Sequence, residues 1–271
     1  MPERAIGIFD SGIGGLTVLR EISKLLPQEN LVYLGDTARV PYGSKSAETV
    51  RRYAIQNIDF LLTKYVKFLV VACNTASAYA LELIREHYDV PVIGVIEPGA
   101  KAAVRASVNK KIGVIGTRAT IGSGAYEKII HSLDRTAEIF AKPCPLFVSL
   151  AEEAMFEGGI TDKVVEFYLK EIKEREVDTL ILGCTHYPLL KKSIANYMGK
   201  NVTLLDSSIE TASEVKRILI ERNLLKKSFE GPGTCDLFVT DDSEHFRGAA
   251  HLFTGNGIVK LQKIDLYKEE K

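Results

Sequence analysis

Two of the four cysteines in this chain end short apolar runs. Residues 68–72 (FLVVA) precede Cys73, and residues 179–183 (TLILG) precede Cys184. Polar residues typical of a helix start follow each cysteine, and His186 stands two positions after Cys184, near enough to share its proton. The pattern predicts a thiol at the carboxyl end of a buried strand, which is where α/β proteins bind their ligands.

The environment of Cys73 would favour its thiolate. A helix N-terminus offers free N–H groups and the positive end of the helix dipole, so we expect the pKa of Cys73 to be lowered. Taken alone, Cys73 fits a buried structural cysteine equally well. Two such sites in one chain arise by chance far less often than one, whereas Cys144 and Cys235 lack this context and are interpreted as structural.

A glycine-rich turn follows the first apolar run, at Asp10-Ser11-Gly12-Ile13-Gly14-Gly15. A dinucleotide-binding GxGxxG motif would need glycine at position 17, where Thr17 stands, and no GKS or GKT follows. We therefore interpret the glycines as a way for backbone N–H groups to approach a small anion such as a carboxylate. Asp10 would then be a charged group in a cleft, or alternatively a helix cap.

Three other segments carry candidate residues with an open alternative. Pro41-Tyr42-Gly43-Ser44 is a turn that fits a binding loop or a plain surface loop. Thr117 and Thr120 flank a predicted helix start, where their hydroxyls could bind a carboxylate or cap the helix. Glu152 on its own resembles a solvated helix residue.

The elements that must position these residues are alternating strands and helices. Predicted helices include residues 16–26 and 76–87, and Ser207 with Glu210 suggests a capping box for a helix through Leu225. Continuous apolar runs indicate strands buried on both faces, and alternation with helices indicates an α/β fold with a mostly parallel sheet. The predicted strands are Ala5–Phe9, Leu31–Leu34, Phe68–Val71, Val92–Ile96, Ile112–Ile115, Leu180–Leu182, Val202–Leu205 and Leu237–Val239.

A weak internal repeat suggests two similar lobes. Residues 6–11 (IGIFDS) resemble residues 112–117 (IGVIGT), and the run into Cys73 resembles the run into Cys184. Turn chemistry at Glu97-Pro98-Gly99 suggests a boundary there. We expect residues 1–97 with 208–271 to form one lobe and 98–207 the other, with a cysteine on each side of the cleft.

The composition excludes several classes of protein. The 35 Lys and Arg balance the 35 Asp and Glu, so no overall basic field favours nucleic acid or an anionic membrane. No apolar run approaches the roughly 18 residues of a membrane span. No targeting signal is evident, so we expect a cytoplasmic protein, and no Cys/His spacing suggests a metal site.

Together, the four motifs resemble the aspartate/glutamate racemase superfamily, and the glutamate racemases within it. They are Asp10–Gly15, Pro41-Tyr42-Gly43, Ala72–Ala76 and Gly183-Cys184-Thr185-His186-Tyr187-Pro188. The resemblance spans residues 5 to about 260. It implies two α/β lobes related by pseudo-twofold symmetry, glutamate bound between them, no cofactor, and a product, D-glutamate, that feeds peptidoglycan synthesis and so cell-wall biogenesis and cell shape.

The resemblance also implies roles for individual residues. Cys73 and Cys184 would be the two acid–base groups, assisted by Asp10, Glu152 and His186. The residues that hold the substrate would be Asp10, Ser11, Tyr42, Gly43, Asn74, Thr75, Thr117, Thr120, Thr185 and His186. Ser149-Leu-Ala stands before Glu152 where the family usually has Pro-Leu-Val, so the position of Glu152 is less firmly fixed. Two other functions stay open, an aspartate racemase and a two-lobed binding protein without catalysis. The oligomeric state is also open, with a homodimer as one alternative.

Overall fold

The computed structural model describes residues 2–227, 231–244, 246–248 and 260–266. In these ranges the strands are β1 (Ile6–Asp10), β2 (Leu31–Gly35), β3 (Phe68–Val71), β4 (Val92–Gly94), β5 (Lys111–Gly116), β6 (Glu138–Pro143), β7 (Thr179–Gly183), β8 (Thr203–Asp206), β9 (Cys235–Val239) and β10 (Lys260–Lys263). The α-helices are α1 (Leu16–Leu25), α2 (Ala47–Thr63), α3 (Asn74–His87), α4 (Ile96–Ala106), α5 (Arg118–Gly122), α6 (Ala125–Leu133), α7 (Leu146–Glu152), α8 (Gly159–Glu174), α9 (Lys191–Met198) and α10 (Ser207–Glu221). Short 3₁₀ helices span Thr37–Arg39, Tyr42–Ser44 and Tyr187–Leu190.

The strands form two parallel sheets with related topology. The first has the order β10-β9-β2-β1-β3-β4, and the second has the order β6-β5-β7-β8. The order β2-β1-β3-β4 therefore recurs as β6-β5-β7-β8, with β1 and β5 as corresponding central strands. This arrangement confirms the prediction of two similar α/β lobes with parallel sheets.

Each sheet is covered on both faces, which explains its continuous apolar runs. Ile8 of β1 packs in one apolar cluster with α1 and α10, whereas the next residue, Phe9, packs in another with α2 and α3. In β5, Val114 and Ile115 likewise face opposite clusters. Successive side chains point to opposite faces, so a strand between two layers of helices is apolar along most of its length.

The sequence-based prediction of helix starts was wrong in two places. Cys73 itself is the N-cap of α3, so Asn74 and Thr75 are the first helical residues. The N-cap of α10 is Asp206, whose carboxylate accepts a hydrogen bond from the Ser208 N–H at 2.9 Å. The predicted capping box with Ser207 as the cap therefore does not form, and α10 ends at Glu221 rather than at Leu225.

Two further differences concern turns and edges. Glu97, Pro98 and Gly99 lie in the first turn of α4 rather than in a turn between elements, since proline is compatible with a helix start. The predicted strands do not include β6 and β10, which are edge strands with half-exposed or exposed residues. In the described part of the chain, none of the helices has the length and apolar character needed to cross a membrane.

Candidate active site

Residues of both lobes line one cavity with an empty volume of about 340 Å³. The sequence-predicted residues found in its wall are Ser11, Tyr42, Gly43, Cys73, Asn74, Thr75, Thr117, Glu152, Cys184, Thr185 and His186. Pro41, from the turn that the sequence offered as a binding loop or a surface loop, also lines it. Val40 and Val148 line it too and were missed, because apolar residues in a loop and a helix carry no chemical signal in a sequence. Asp10 and Thr120 are outside the wall and hydrogen-bond to residues that form it.

The two thiols occupy corresponding places in the two sheets. Cys73 follows β3 and Cys184 follows β7, and each of these strands lies beside the central strand of its sheet. The Cys73 Sγ lies 3.6 Å from Oγ of Ser11, and the Cys184 Sγ lies 3.8 Å from Nδ1 of His186. The topology therefore brings one cysteine from each lobe to the same cavity.

Burial sets the acidity of both thiols, and the expectation of a lowered pKa for Cys73 was wrong. Burial, with a smaller effect of the Asp10 charge, raises the pKa of Cys73 to about 12. The N–H groups of Ala76 and Thr75 and the Ser11 hydroxyl do lower it, as a helix start should, but desolvation outweighs them. Burial likewise raises the pKa of Cys184, against a lowering by the backbone N–H of His186.

Asp10 connects the two lobes at the side of the cavity. Its carboxylate accepts hydrogen bonds from the Gly12 N–H at 3.0 Å and from the Thr185 hydroxyl at 3.3 Å. The N-cap of α1 is Gly15, and the backbone N–H that donates to Asp10 is that of Gly12, before the helix, so the alternative role of Asp10 as a helix cap does not hold. Asp10 is fully buried, and its carboxyl group is close enough to both thiols for its charge to act on them.

His186 lies between a carboxylate and a thiol. Its Nε2 is 3.7 Å from Oε1 of Glu152, and its Nδ1 is 3.8 Å from the sulfur of Cys184. Glu152 is the last residue of α7, and its side chain retains 37% exposure. Glu152 is therefore partly solvated, as its local sequence predicts, and it also lies in the cavity wall, because the end of α7 carries it there.

Three threonine hydroxyls from the two lobes meet beside the cavity. Thr75 lies 3.0 Å from Thr117 and 3.3 Å from Thr120, measured between the hydroxyl oxygens, and Thr117 lies 3.0 Å from Thr120. Thr117 also caps α5 by accepting from the Thr120 N–H, so capping and a place in the cavity wall are compatible. Hydroxyls that both donate and accept suit a ligand carboxylate.

The side chains of Asn74 and Tyr42 are both buried but differ in what they offer. Oδ1 of Asn74 accepts a hydrogen bond from the Tyr126 hydroxyl at 2.8 Å, while its Nδ2 has no hydrogen-bond partner among the described residues. The Tyr42 hydroxyl donates to Asp36 and accepts from Asn57 at 3.0 Å. Asn74 thus has an uncommitted donor at the cavity, whereas the single proton of the Tyr42 hydroxyl is already committed.

Fold and site together define a class: two-lobed parallel α/β proteins with a thiol at the same strand end of each lobe and a shared polar cavity. The described residues contain no group of three or more His, Cys, Asp or Glu that could hold a metal ion. The sequence pattern of the Asp/Glu/Hydantoin racemase family matches residues 6–215. The chain belongs to this family of racemases, which are isomerases.

Individual relatives extend the match over the whole chain. This chain is 48% identical over 271 residues to the glutamate racemase of Geobacter metallireducens, and the alignment covers 100% of both chains. It is 54% identical over 250 residues to that of Aquifex pyrophilus, covering 92% of this chain and 94% of the relative. The crystal structure of Francisella tularensis glutamate racemase in complex with D-glutamate matches with a TM-score of 0.92 at 37% identity, covering 99% and 100% of the chains.

Proposed function

We propose that this protein is a glutamate racemase in which Cys73 and Cys184 exchange the α-proton of the substrate. The observation that carries the proposal is the placement of the two thiols at corresponding strand ends, on one cavity formed by both lobes. Near-full-length similarity to proteins named glutamate racemase supports the choice of substrate. The Francisella tularensis relative was crystallised with D-glutamate, which fits the same choice.

Two acid–base groups are needed because racemisation removes a proton from one face of Cα and returns one to the other. A single base reaches one face only. In our proposal one cysteine enters each turnover as thiolate and the other as thiol, and the two exchange these states as the proton moves. The substrate configuration then decides which cysteine is the base: Cys73 for D-glutamate and Cys184 for L-glutamate.

The raised pKa of the thiols suits this chemistry. The Cα–H of an amino acid is a very weak acid, and a thiolate whose pKa is raised to about 12, as at Cys73, is a stronger base than an ordinary one. The same shift keeps both thiols protonated at neutral pH without substrate, so one of them must lose its proton to a neighbouring group before each turnover. Asp10 contributes by raising the pKa of both thiols through its charge. His186, held near Glu152, would pass a proton to or from Cys184.

Hydrogen-bond donors around the cavity would bind the substrate and stabilise the carbanion. We assign the α-carboxylate to the hydroxyls of Thr75 and Thr117 and to the uncommitted Nδ2 of Asn74, with Thr120 behind the wall orienting the two hydroxyls. Ser11, Thr185, and the segment at Tyr42 and Gly43 would bind the rest of the molecule. Donors fixed in a site that excludes water stabilise developing charge without reorganisation.

We further propose that the reaction needs no cofactor and that the lobes are residues 1–97 with 208–271, and residues 98–207. D-glutamate formed in the cytoplasm would supply peptidoglycan synthesis.

Dialysis against a chelator and hydroxylamine tests whether the reaction needs a cofactor: activity should survive. A loss that pyridoxal phosphate restores would overturn the thiol mechanism.

Circular dichroism of L-glutamate and of L-aspartate, each with purified protein, tests the function itself. We expect loss of optical activity with glutamate and much slower loss with aspartate. Faster turnover of aspartate would replace glutamate by aspartate as the substrate. Exchange of the α-hydrogen in deuterated water distinguishes catalysis from binding alone, since a binding protein would leave the α-hydrogen in place.

A further inference from the structure

Tyr126 lies behind the cavity and contacts both cysteine-bearing segments. It belongs to α6 of the second lobe, and its hydroxyl donates to Oδ1 of Asn74, the residue after Cys73 in the first lobe. Its ring packs against Gly183, the residue before Cys184, where an added Cβ would lie 3.1 Å from Cε2 of Tyr126. One side chain therefore spans the two strand ends that carry the thiols.

The hydrogen bond to Tyr126 determines which way the Asn74 amide faces. An amide has one acceptor end and one donor end, and a hydroxyl proton directed at the oxygen leaves the NH₂ group on the other side. Nδ2 of Asn74 is buried, has no partner among the described residues, and belongs to a residue of the cavity wall. A buried donor without a partner is costly, so a ligand that accepts from it is bound more tightly.

We propose that Tyr126 is a positioning residue for the proposed racemisation: its hydroxyl holds the Asn74 amide with Nδ2 directed at the substrate carboxylate. This inference rests on the proposed function only for the identity of the ligand. Tyr126 stays a neutral donor through the working pH range, because burial raises its pKa. Since the bond crosses from α6 to α3, it forms only when the two lobes are together.

Tyr126→Phe removes the hydroxyl and keeps the ring against Gly183. With whichever of glutamate and aspartate the wild type racemises, we expect KM to rise about tenfold, the typical effect of losing one buried hydrogen bond to a ligand-binding group. We expect kcat to fall as well, because the same donor stabilises the charge that grows on the carboxylate in the carbanion. Tyr88→Phe is the matched control, since that hydroxyl bonds Asp59 at 2.6 Å on the surface, and its KM should equal that of the wild type.

A double-mutant cycle shows whether Tyr126 acts through Asn74. In an Asn74→Ala background, Tyr126→Phe should raise KM no further, because the amide that it orients is gone. A KM unchanged by Tyr126→Phe, even with a lowered melting temperature, would show a purely structural hydroxyl and overturn the proposal. The same rise in KM in both backgrounds would also overturn it.

Nuclear magnetic resonance gives a readout that does not depend on activity. The side-chain amide signal of Asn74 is assigned by its loss in Asn74→Ala, and we expect it to shift in Tyr126→Phe but not in Tyr88→Phe. An unshifted signal in Tyr126→Phe would overturn the positioning role. If the wild type racemised neither amino acid, the proposed function would fail, and this signal would still decide the role of Tyr126.

Discussion

Gly14 and Thr185 meet across the two lobes so closely that a β-carbon on Gly14 would lie 2.2 Å from Oγ1 of Thr185. A second pair repeats the relationship, since a β-carbon on Gly43 would lie 2.5 Å from Cβ of Thr117. In both pairs the glycine belongs to the first lobe and the threonine to the second. The glycines therefore allow the lobes to approach closely enough to enclose one cavity.

Gly14→Ala should impair catalysis by holding the lobes apart. Overpacking of this kind costs roughly 1–3 kcal/mol, and separation of the lobes relieves it without unfolding either one. We expect kcat/KM to fall about tenfold to hundredfold, with little change in melting temperature. Gly159→Ala is the control, because nothing lies within 4 Å of a β-carbon there. Wild-type kcat/KM in Gly14→Ala would show that this contact does not govern closure.

Cys73→Ser and Cys184→Ser should each abolish racemisation, because a serine hydroxyl cannot replace a thiol in either acid–base role. A loss of at least about a thousandfold in kcat is expected. With a substrate analogue that carries a leaving group at Cβ, elimination needs only the abstracting base. Cys73→Ser should then process the L analogue and Cys184→Ser the D analogue, measured as release of the leaving group. A folded variant that racemises at the wild-type rate would contradict the two-base mechanism.

His186→Asn tests proton transfer at Cys184. We expect kcat/KM to fall about tenfold to hundredfold, equally in both directions, because the two enantiomers have equal free energy. The α-deuterium isotope effect should grow for L-glutamate more than for D-glutamate, since abstraction by Cys184 becomes the slow step. His87→Asn, on the exposed end of α3, is the control and should match the wild type. Equal isotope effects for the two enantiomers would argue against the pairing of His186 with Cys184.

The raised pKa of Cys73 predicts a loss of stability in alkaline solution. Burial raises this pKa from 9.0 to about 12, so between these values the unfolded chain loses the thiol proton while the folded chain keeps it. The free energy of unfolding should therefore fall as pH rises from about 9 towards 12. Cys73→Ser should reduce that slope by up to about 1.4 kcal/mol per pH unit, measured by urea denaturation under reducing conditions. Identical slopes would show that Cys73 titrates normally in the fold.

The sequence determined the elements that are buried on both faces and the residues at their ends. Strands such as β1, β3 and β7 are apolar along most of their length, so they are visible as runs. The polar residues after Cys73 and Cys184 show where the runs into those cysteines end. The edge strands β6 and β10 have half-exposed or exposed residues and were not predicted. The likeness of residues 6–11 to residues 112–117 predicted two halves built alike, and the repeated strand order of the two sheets confirms that prediction.

Only the tertiary structure decided the quantities that depend on contacts between distant residues. The helix start at Cys73 predicts a lowered pKa for the thiol, yet desolvation by the surrounding lobes raises that pKa. The burial of a side chain depends on the whole fold and cannot be predicted from the neighbouring residues alone. Local sequence predicts the partial exposure of Glu152, but only the fold places it 3.7 Å from His186. Tyr126 carries no motif at all, and its hydrogen bond to Asn74 joins residues 52 positions apart in the chain. The sequence therefore predicts which chemical groups stand at the strand ends. The acidity of the thiols and the positions of Glu152 and Tyr126 depend on which surfaces the fold brings together.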